Sequence, residues 1–156
     1  MKIVPAPVRK SISVQAAPER AFTVFTAGMG RWWLRSHSIN ASPIADVVIE
    51  PHVGGRWYER GEDGSECEWG RVLAWNPPHG LTLAWQLDAA FKFDPALVTE
   101  VEVKFVPLAA NRTRVELEHR LLERFGEEAE NVSGRVGSDN GWTAILKSFA
   151  ATADAS

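Results

Sequence analysis

Cysteine occurs once in the 156 residues, as Cys67, and tyrosine once, as Tyr58. A lone thiol excludes an internal disulfide framework and suits a reducing compartment, so composition leads us to expect a cytoplasmic protein. No run approaches the roughly 18 apolar residues that a membrane span requires, and the opening MKIVPAPVRK lacks the apolar centre of a secretory leader. No charge of one sign is concentrated either. The 17 Lys and Arg stand scattered against 20 Asp and Glu, for a net charge of −3, which leaves no basic stripe to track a phosphate backbone and excludes nucleic acid as an expected partner. The histidines (His37, His52, His79, His119) and the cysteine fall at no metal-ligand spacing. A G-x-S-x-G elbow, a Walker loop and a dinucleotide G-x-G-x-x-G fingerprint are missing as well. Neither metal nor any other cofactor is expected. Cys67 has no adjacent histidine or helix start to lower its pKa and reads as a small buried hydrophobe.

What the sequence has in excess is large apolar rings, with seven Trp and seven Phe. The length suits one domain over 1–156, large enough to bury a core without covalent staples. Val8 to Val14 alternates apolar and polar residues, as a half-buried strand does. Pro18 and Glu19 open a short helix with Ala21, Val24 and Phe25 on one face, and the compact aromatic segment containing Trp32 and Trp33 follows. From Asp46 the pattern is all strand: DVVIEP, GGRWYERG, ECEWGRVLAW after the hairpin signal Asp63-Gly64, GLTLAWQL, VTEVEVKFVP and RVELEHRL. Glu127 to Gly137 is polar, glycine-containing and aperiodic, and is expected to be a loop or a frayed turn. Asp139 is expected to cap a last helix whose stripe is Trp142, Ile145, Leu146, Phe149 and Ala153. An antiparallel sheet must cover one face, and this helix is the only long amphipathic element left to do so. The expected fold is α+β: a curved antiparallel sheet of about six to seven strands wrapped around a C-terminal helix, with one or two short helices after the first strand.

The ordered set of segments PERAF (18–22), RWW (31–33), EPHVGGRW (50–57), GRVLAWNPP (70–78), LTLAW (81–85), Glu118-His119 and Gly141-Trp142 resembles the START/Bet v 1-like (SRPBCC) helix-grip superfamily. Within it the chain is similar to the bacterial branch akin to the C-terminal domain of the activator of the Hsp90 ATPase. The resemblance implies the helix-grip fold over nearly the whole chain. For activity it implies a choice among ligand carriage, cyclase or hydrolase chemistry and co-chaperone work, because a fold this widely used assigns no single function.

Two readings stand beside each candidate residue. Gly54-Gly55 is a bulge or close backbone approach, or a place for a ligand. Trp57, Trp69, Trp85 and Trp142, with Phe105, are core, or they wall an apolar cavity between the sheet and the last helix. Within ECEWGRVLAW either both faces are buried or Gly70 marks a bulge that switches them. His119, on the face of Val115 and Leu117, is a satisfied core residue, a polar group orienting a ligand, or a general acid or base paired with a carboxylate such as Glu66 or Glu68. The favoured expectation is binding of a small hydrophobic or aromatic molecule by Trp57, Trp69, Trp85, Phe105, His119 and Trp142. The rivals are an enzyme in the same cavity and a protein-binding module with an exposed patch around Trp32-Trp33. Strand edges make a homodimer a further expectation.

Overall fold

A computed structural model describes residues 5–155. Its strands are β1 (Val8–Val14), β2 (Ile44–Ile49), β3 (Arg56–Gly61), β4 (Glu66–Asn76), β5 (Gly80–Trp85), β6 (Thr99–Ala109) and β7 (Arg112–Arg120). They form one seven-stranded antiparallel sheet in the order β1-β7-β6-β5-β4-β3-β2. Helices α1 (Pro18–Thr26) and α2 (Met29–Trp32) carry the chain from β1 at one edge to β2 at the other, and α3 (Ala129–Val136) and α4 (Trp142–Asp154) end it. Because β2 to β7 then return as a meander, β7 arrives beside β1, and α4 lies across the concave face against β1, α1 and α2. This is the helix-grip arrangement. No described helix is long and apolar enough to cross a membrane.

The strand periodicity explains the face that is covered. Thr113, Val115, Leu117 and His119 of β7 are buried and alternate with partly or fully exposed Arg114, Glu116 and Glu118. On the convex face the charges pair across strands: Arg120 reaches Glu100 and Glu102, each at 2.9 Å. Arg56 likewise holds Glu66 at 3.0 Å and also binds Glu68. Glu66 and Glu68 therefore belong to a solvated ion cluster and not to the concave side.

Curvature comes from irregular pairing. Trp57 pairs with Gly70 but the next residue, Tyr58, pairs with Glu68, so Trp69 is the extra residue of a bulge in β4. A second shift leaves Leu73 extra against β5. Cys67, Trp69, Val72 and Trp75 consequently all reach the side facing the helices, which resolves why strict alternation fails here. Gly70 is required at the bulge because a Cβ there would collide with the Ala84 carbonyl oxygen. The pair Gly54-Gly55 does related work at the head of β3. Gly54 takes φ +85, and the pair exchanges 2.8 Å backbone bonds with Val72, extending the ladder around the bend.

Two expectations change. Glu127 to Gly137 is not a loop: a 3-10 stretch, Leu122–Glu128, runs into α3, whose Ala129, Val132 and Val136 are buried. The stripe consists of three small apolar residues in an otherwise polar segment, too thin to read as a period. Asp139 does not cap α4. The helix starts at Trp142 with Gly141 in the cap position and no side-chain cap. A tight turn, with Gly141 N–H donating to the Ser138 carbonyl at 3.0 Å, takes up the residues between.

Candidate functional site

The space between sheet and helices is filled unequally. At one end Phe22, Phe25, Phe105 and Phe149 pack edge to face at centroid distances of 5.2 to 5.8 Å, and Trp75 closes on Phe22 at 5.1 Å. Phe105 belongs to this solid end. At the other end a cleft of about 720 Å³ opens, within the range of small-molecule sites. Its apolar wall is Trp33, Trp69, Trp85, Leu87, Trp142 and Ile145, and its rim carries Ser36, His37, Phe91, Lys92, Arg135 and Asn140. Of the residues expected from sequence, Trp69, Trp85 and Trp142 meet at this wall. Trp57 stands one layer behind, fully buried, 5.3 Å from Trp69 and 5.9 Å from Trp85.

His119 also lies behind the wall and is 0% exposed. An indole N–H can only donate, so the 3.1 Å contact from Trp142 Nε1 makes His119 Nδ1 an acceptor. The proton then sits on Nε2, which donates to Thr99 Oγ1 at 2.9 Å, while that hydroxyl passes its own proton to the Trp85 carbonyl at 3.1 Å. Burial pushes the imidazole pKa down from 6.5 to about 3. Both nitrogens are occupied and the ring is neutral, so near neutrality His119 fixes the Trp142 indole and has no proton to exchange with a ligand.

Each indole of this end has a physical account. Trp32 Nε1 donates to the Val24 carbonyl at 2.8 Å, Trp33 Nε1 to the His37 carbonyl at 3.4 Å, and Trp57 Nε1 to Met29 Sδ at 3.4 Å. Trp32 and Trp33 are only 2% and 5% exposed, so the expected surface patch around them does not exist. Ridge packing against Phe25 and Phe149 takes Trp32 inward, and Trp33 lies 4.7 Å from Trp69 in the cleft wall. Trp85, 7% exposed, is different: its Nε1–H has no acceptor among the described residues, although no fully buried side-chain polar atom is left unpaired. Trp85 lines the cleft.

Sequence reasoning missed Glu59. It lies on β3, where alternation from Trp57 points it inward, and it is 0% exposed. Its carboxylate accepts Ser38 Oγ–H at 2.6 Å, Ile39 N–H at 2.7 Å and Trp69 Nε1–H at 3.1 Å. It thus ties the Ser36 to Ile39 rim to the floor tryptophan. The available signal was the period of β3 itself, since an acid in phase with Trp57 must be buried and partnered. Opposite, the Arg135 guanidinium lies 5.1 Å over the Phe91 ring and donates to the Ala89 carbonyl at 2.8 Å, holding the Leu87 to Phe93 loop at the mouth. Burial, with Glu59 and Asp63 nearby, raises the Cys67 thiol above its usual range, which makes it a weak nucleophile. Among the described residues no cluster of His, Cys, Asp and Glu has a metal-holding arrangement.

Comparison with known proteins adds the lineage. The family model described as activator of Hsp90 ATPase homolog 1-like protein matches residues 15–154. The chain belongs to this family. Among solved structures it is 40% identical to Txn09, an anthrahydroquino-γ-pyrone synthase, over 97% of this chain and 99% of that one, with a TM-score of 0.67. It is 33% identical to CalC, a self-sacrificing resistance protein from Micromonospora echinospora, over 96% and 94% of the two chains, with a TM-score of 0.72. An Hsp90 activator from Plasmodium falciparum aligns over 74% and 73% at 20% identity and a TM-score of 0.53, a likeness of fold alone. No curated protein matches the sequence. A synthase, a resistance protein and, in fold alone, an Hsp90 activator thus share this scaffold.

Proposed function

We propose that this family member binds a planar, polycyclic aromatic molecule in the cleft between its sheet and α4. The observation that carries the reading is the wall itself: four indoles, Trp33, Trp69, Trp85 and Trp142, face one cleft of about 720 Å³, and one of them keeps an unused N–H donor. Stacked and edge-on aromatic contacts favour a flat conjugated ligand over a flexible chain, and a ring carbonyl is the acceptor that Trp85 lacks. Trp57 and His119 serve by backing the wall and fixing Trp142, and Phe105 by filling the opposite end. A second reading, ring-forming catalysis on such a molecule, is supported by the 40% identity to a γ-pyrone synthase.

Titration calorimetry with anthraquinone-2-sulfonate, whose two ring carbonyls and flat frame match the wall, tests the first reading. Saturable one-site binding is expected. The Trp85→Phe variant keeps the apolar face and loses the donor, so its affinity should fall by roughly two- to tenfold, the worth of one neutral hydrogen bond. Absence of any binding heat, together with an unchanged melting temperature at high ligand concentration, would sink the reading.

A further inference from the structure

The rim segment Arg35–His37 is one turn of 3-10 helix, exposed at Arg35 and Ser36 and half-buried at His37. Three contacts fix it. Arg35 donates to the Gly30 carbonyl at 2.8 Å, Trp33 Nε1 to the His37 carbonyl at 3.4 Å, and Ser38 Oγ to buried Glu59 at 2.6 Å. From this anchored turn the His37 ring crosses the mouth of the cleft. Its Nε2 lies 2.6 Å from the Asn140 carbonyl oxygen on the far wall, and its Nδ1 lies 3.0 Å from Ser36 Oγ.

The proton positions follow from the partners. A backbone carbonyl can only accept, so His37 Nε2 carries a hydrogen. In the neutral ring Nδ1 is then a lone pair, which the Ser36 hydroxyl satisfies by donating to it. The order hydroxyl, imidazole, oriented acceptor is the one that general-base sites use, with the carbonyl fixing tautomer and ring angle. His119 cannot take this part, being saturated behind the wall. The other charged groups lining the cleft are Lys92 and Arg135, both cationic; Glu59 lies behind Ser38, and Asp139 adjoins Asn140.

We propose that Ser36 and His37 form the proton-accepting site of the cleft, taking up the ionisable hydroxyl of an aromatic ligand. This rests on the aromatic-ligand reading above and specifies the ligand class as hydroxylated polycyclic aromatics. The ligand hydroxyl replaces Ser36 at Nδ1 and gives up its proton there, while the oxygen keeps both electrons of the broken O–H bond. His37 becomes imidazolium, with Nε2–H still on Asn140, and the freed Ser36 hydroxyl turns to donate to the phenolate. Lys92 and Arg135 favour the anion electrostatically. An oxygen ionised in this way is the nucleophile that a ring closure on the same molecule would need.

The test compares 2-hydroxyanthraquinone with 2-methoxyanthraquinone, which has no proton to lose, at a pH where the free hydroxy dye is protonated. Bound to the unaltered protein, the hydroxy dye should show the red-shifted phenolate band. In His37→Gln the band should vanish and affinity for the hydroxy dye fall roughly tenfold. The methoxy dye should bind both proteins alike, which also reports that the cleft of the variant is intact. In Ser36→Ala the band should persist with affinity a few fold lower. A bound hydroxy dye that stays protonated in the unaltered protein, or a phenolate band indifferent to His37→Gln, overturns the proposal and leaves the aromatic cleft standing. Failure of both dyes to bind overturns the cleft reading and the proposal with it.

Discussion

Lowering the pH from 7 to 5 is expected to remove about 2 kcal/mol of folding stability through His119 alone. The unfolded chain protonates this imidazole at its ordinary value of 6.5, whereas burial holds the folded one to about 3. Between those values the unfolded state binds the extra proton, so acid favours unfolding. The contribution is fully present above the unfolded pKa. It is lost at about 1.4 kcal/mol per pH unit as the pH falls towards the folded pKa. His119→Phe preserves bulk but deprives the Trp142 N–H of its acceptor, at a cost of about 1–3 kcal/mol at pH 7. Because the variant has no proton to bind at this position, the gap should close or reverse by pH 5. Urea unfolding of both proteins at the two pH values reads this directly, since every other titrating group cancels in the difference. A gap that does not change with pH would mean that His119 is not held neutral in the fold.

The second large effect is expected at Glu59. Glu59→Ala strips the acceptor from Ser38 Oγ–H, Ile39 N–H and Trp69 Nε1–H together. Some of these groups reach water, so the total should be about 3 kcal/mol and not the full sum of separate losses. The consequence is local as well as global, because Trp69 and the Ser38–Ile39 rim lose their common anchor and anthraquinone affinity should drop with stability. Glu59→Gln separates shape from charge. Its carbonyl oxygen can still accept from Ile39 and Trp69, its amide can donate to Ser38 Oγ, and the Ser38 hydroxyl can turn to the Asn40 carbonyl at 3.4 Å. The rescued variant should lie within about 1 kcal/mol of the parent. Equal losses for Ala and Gln would show that the negative charge, and not the hydrogen-bond geometry, is what the wall needs.

The sheet was readable in the sequence because its strands carry a period of two with polar residues outside, as in β1 and β7, and because α4 carries an unbroken apolar stripe. The bulged strand β4 resisted, since one extra residue at Trp69 and another at Leu73 each reset the phase, and while Gly70 marks the first shift nothing local marks the second. α3 was hidden because three small residues are enough to seat a short helix against a core that already exists. The tryptophan wall was legible as residue types and not as a surface. Which indoles face the cleft depends on packing order between layers, so Trp57 and Trp69, both on the concave side, end one behind the other. Glu59 and His37 escaped notice for opposite reasons. Glu59 looked like any strand acid beside Arg60, and His37 lies in an irregular turn whose direction only the tertiary structure sets.

The tryptophan packing also governs what the protein does with light. Trp32, Trp33, Trp69, Trp57, Trp85 and Trp142 form a continuous chain of ring contacts at centroid distances of 4.7 to 6.3 Å, whereas among the described residues the ring contact of Trp75 is with Phe22. Rings this close exchange excitation faster than they emit, so six indoles act as one antenna. A quinone in the cleft, touching Trp69, Trp85 and Trp142, would therefore drain the emission of all six, including Trp32, which it never meets.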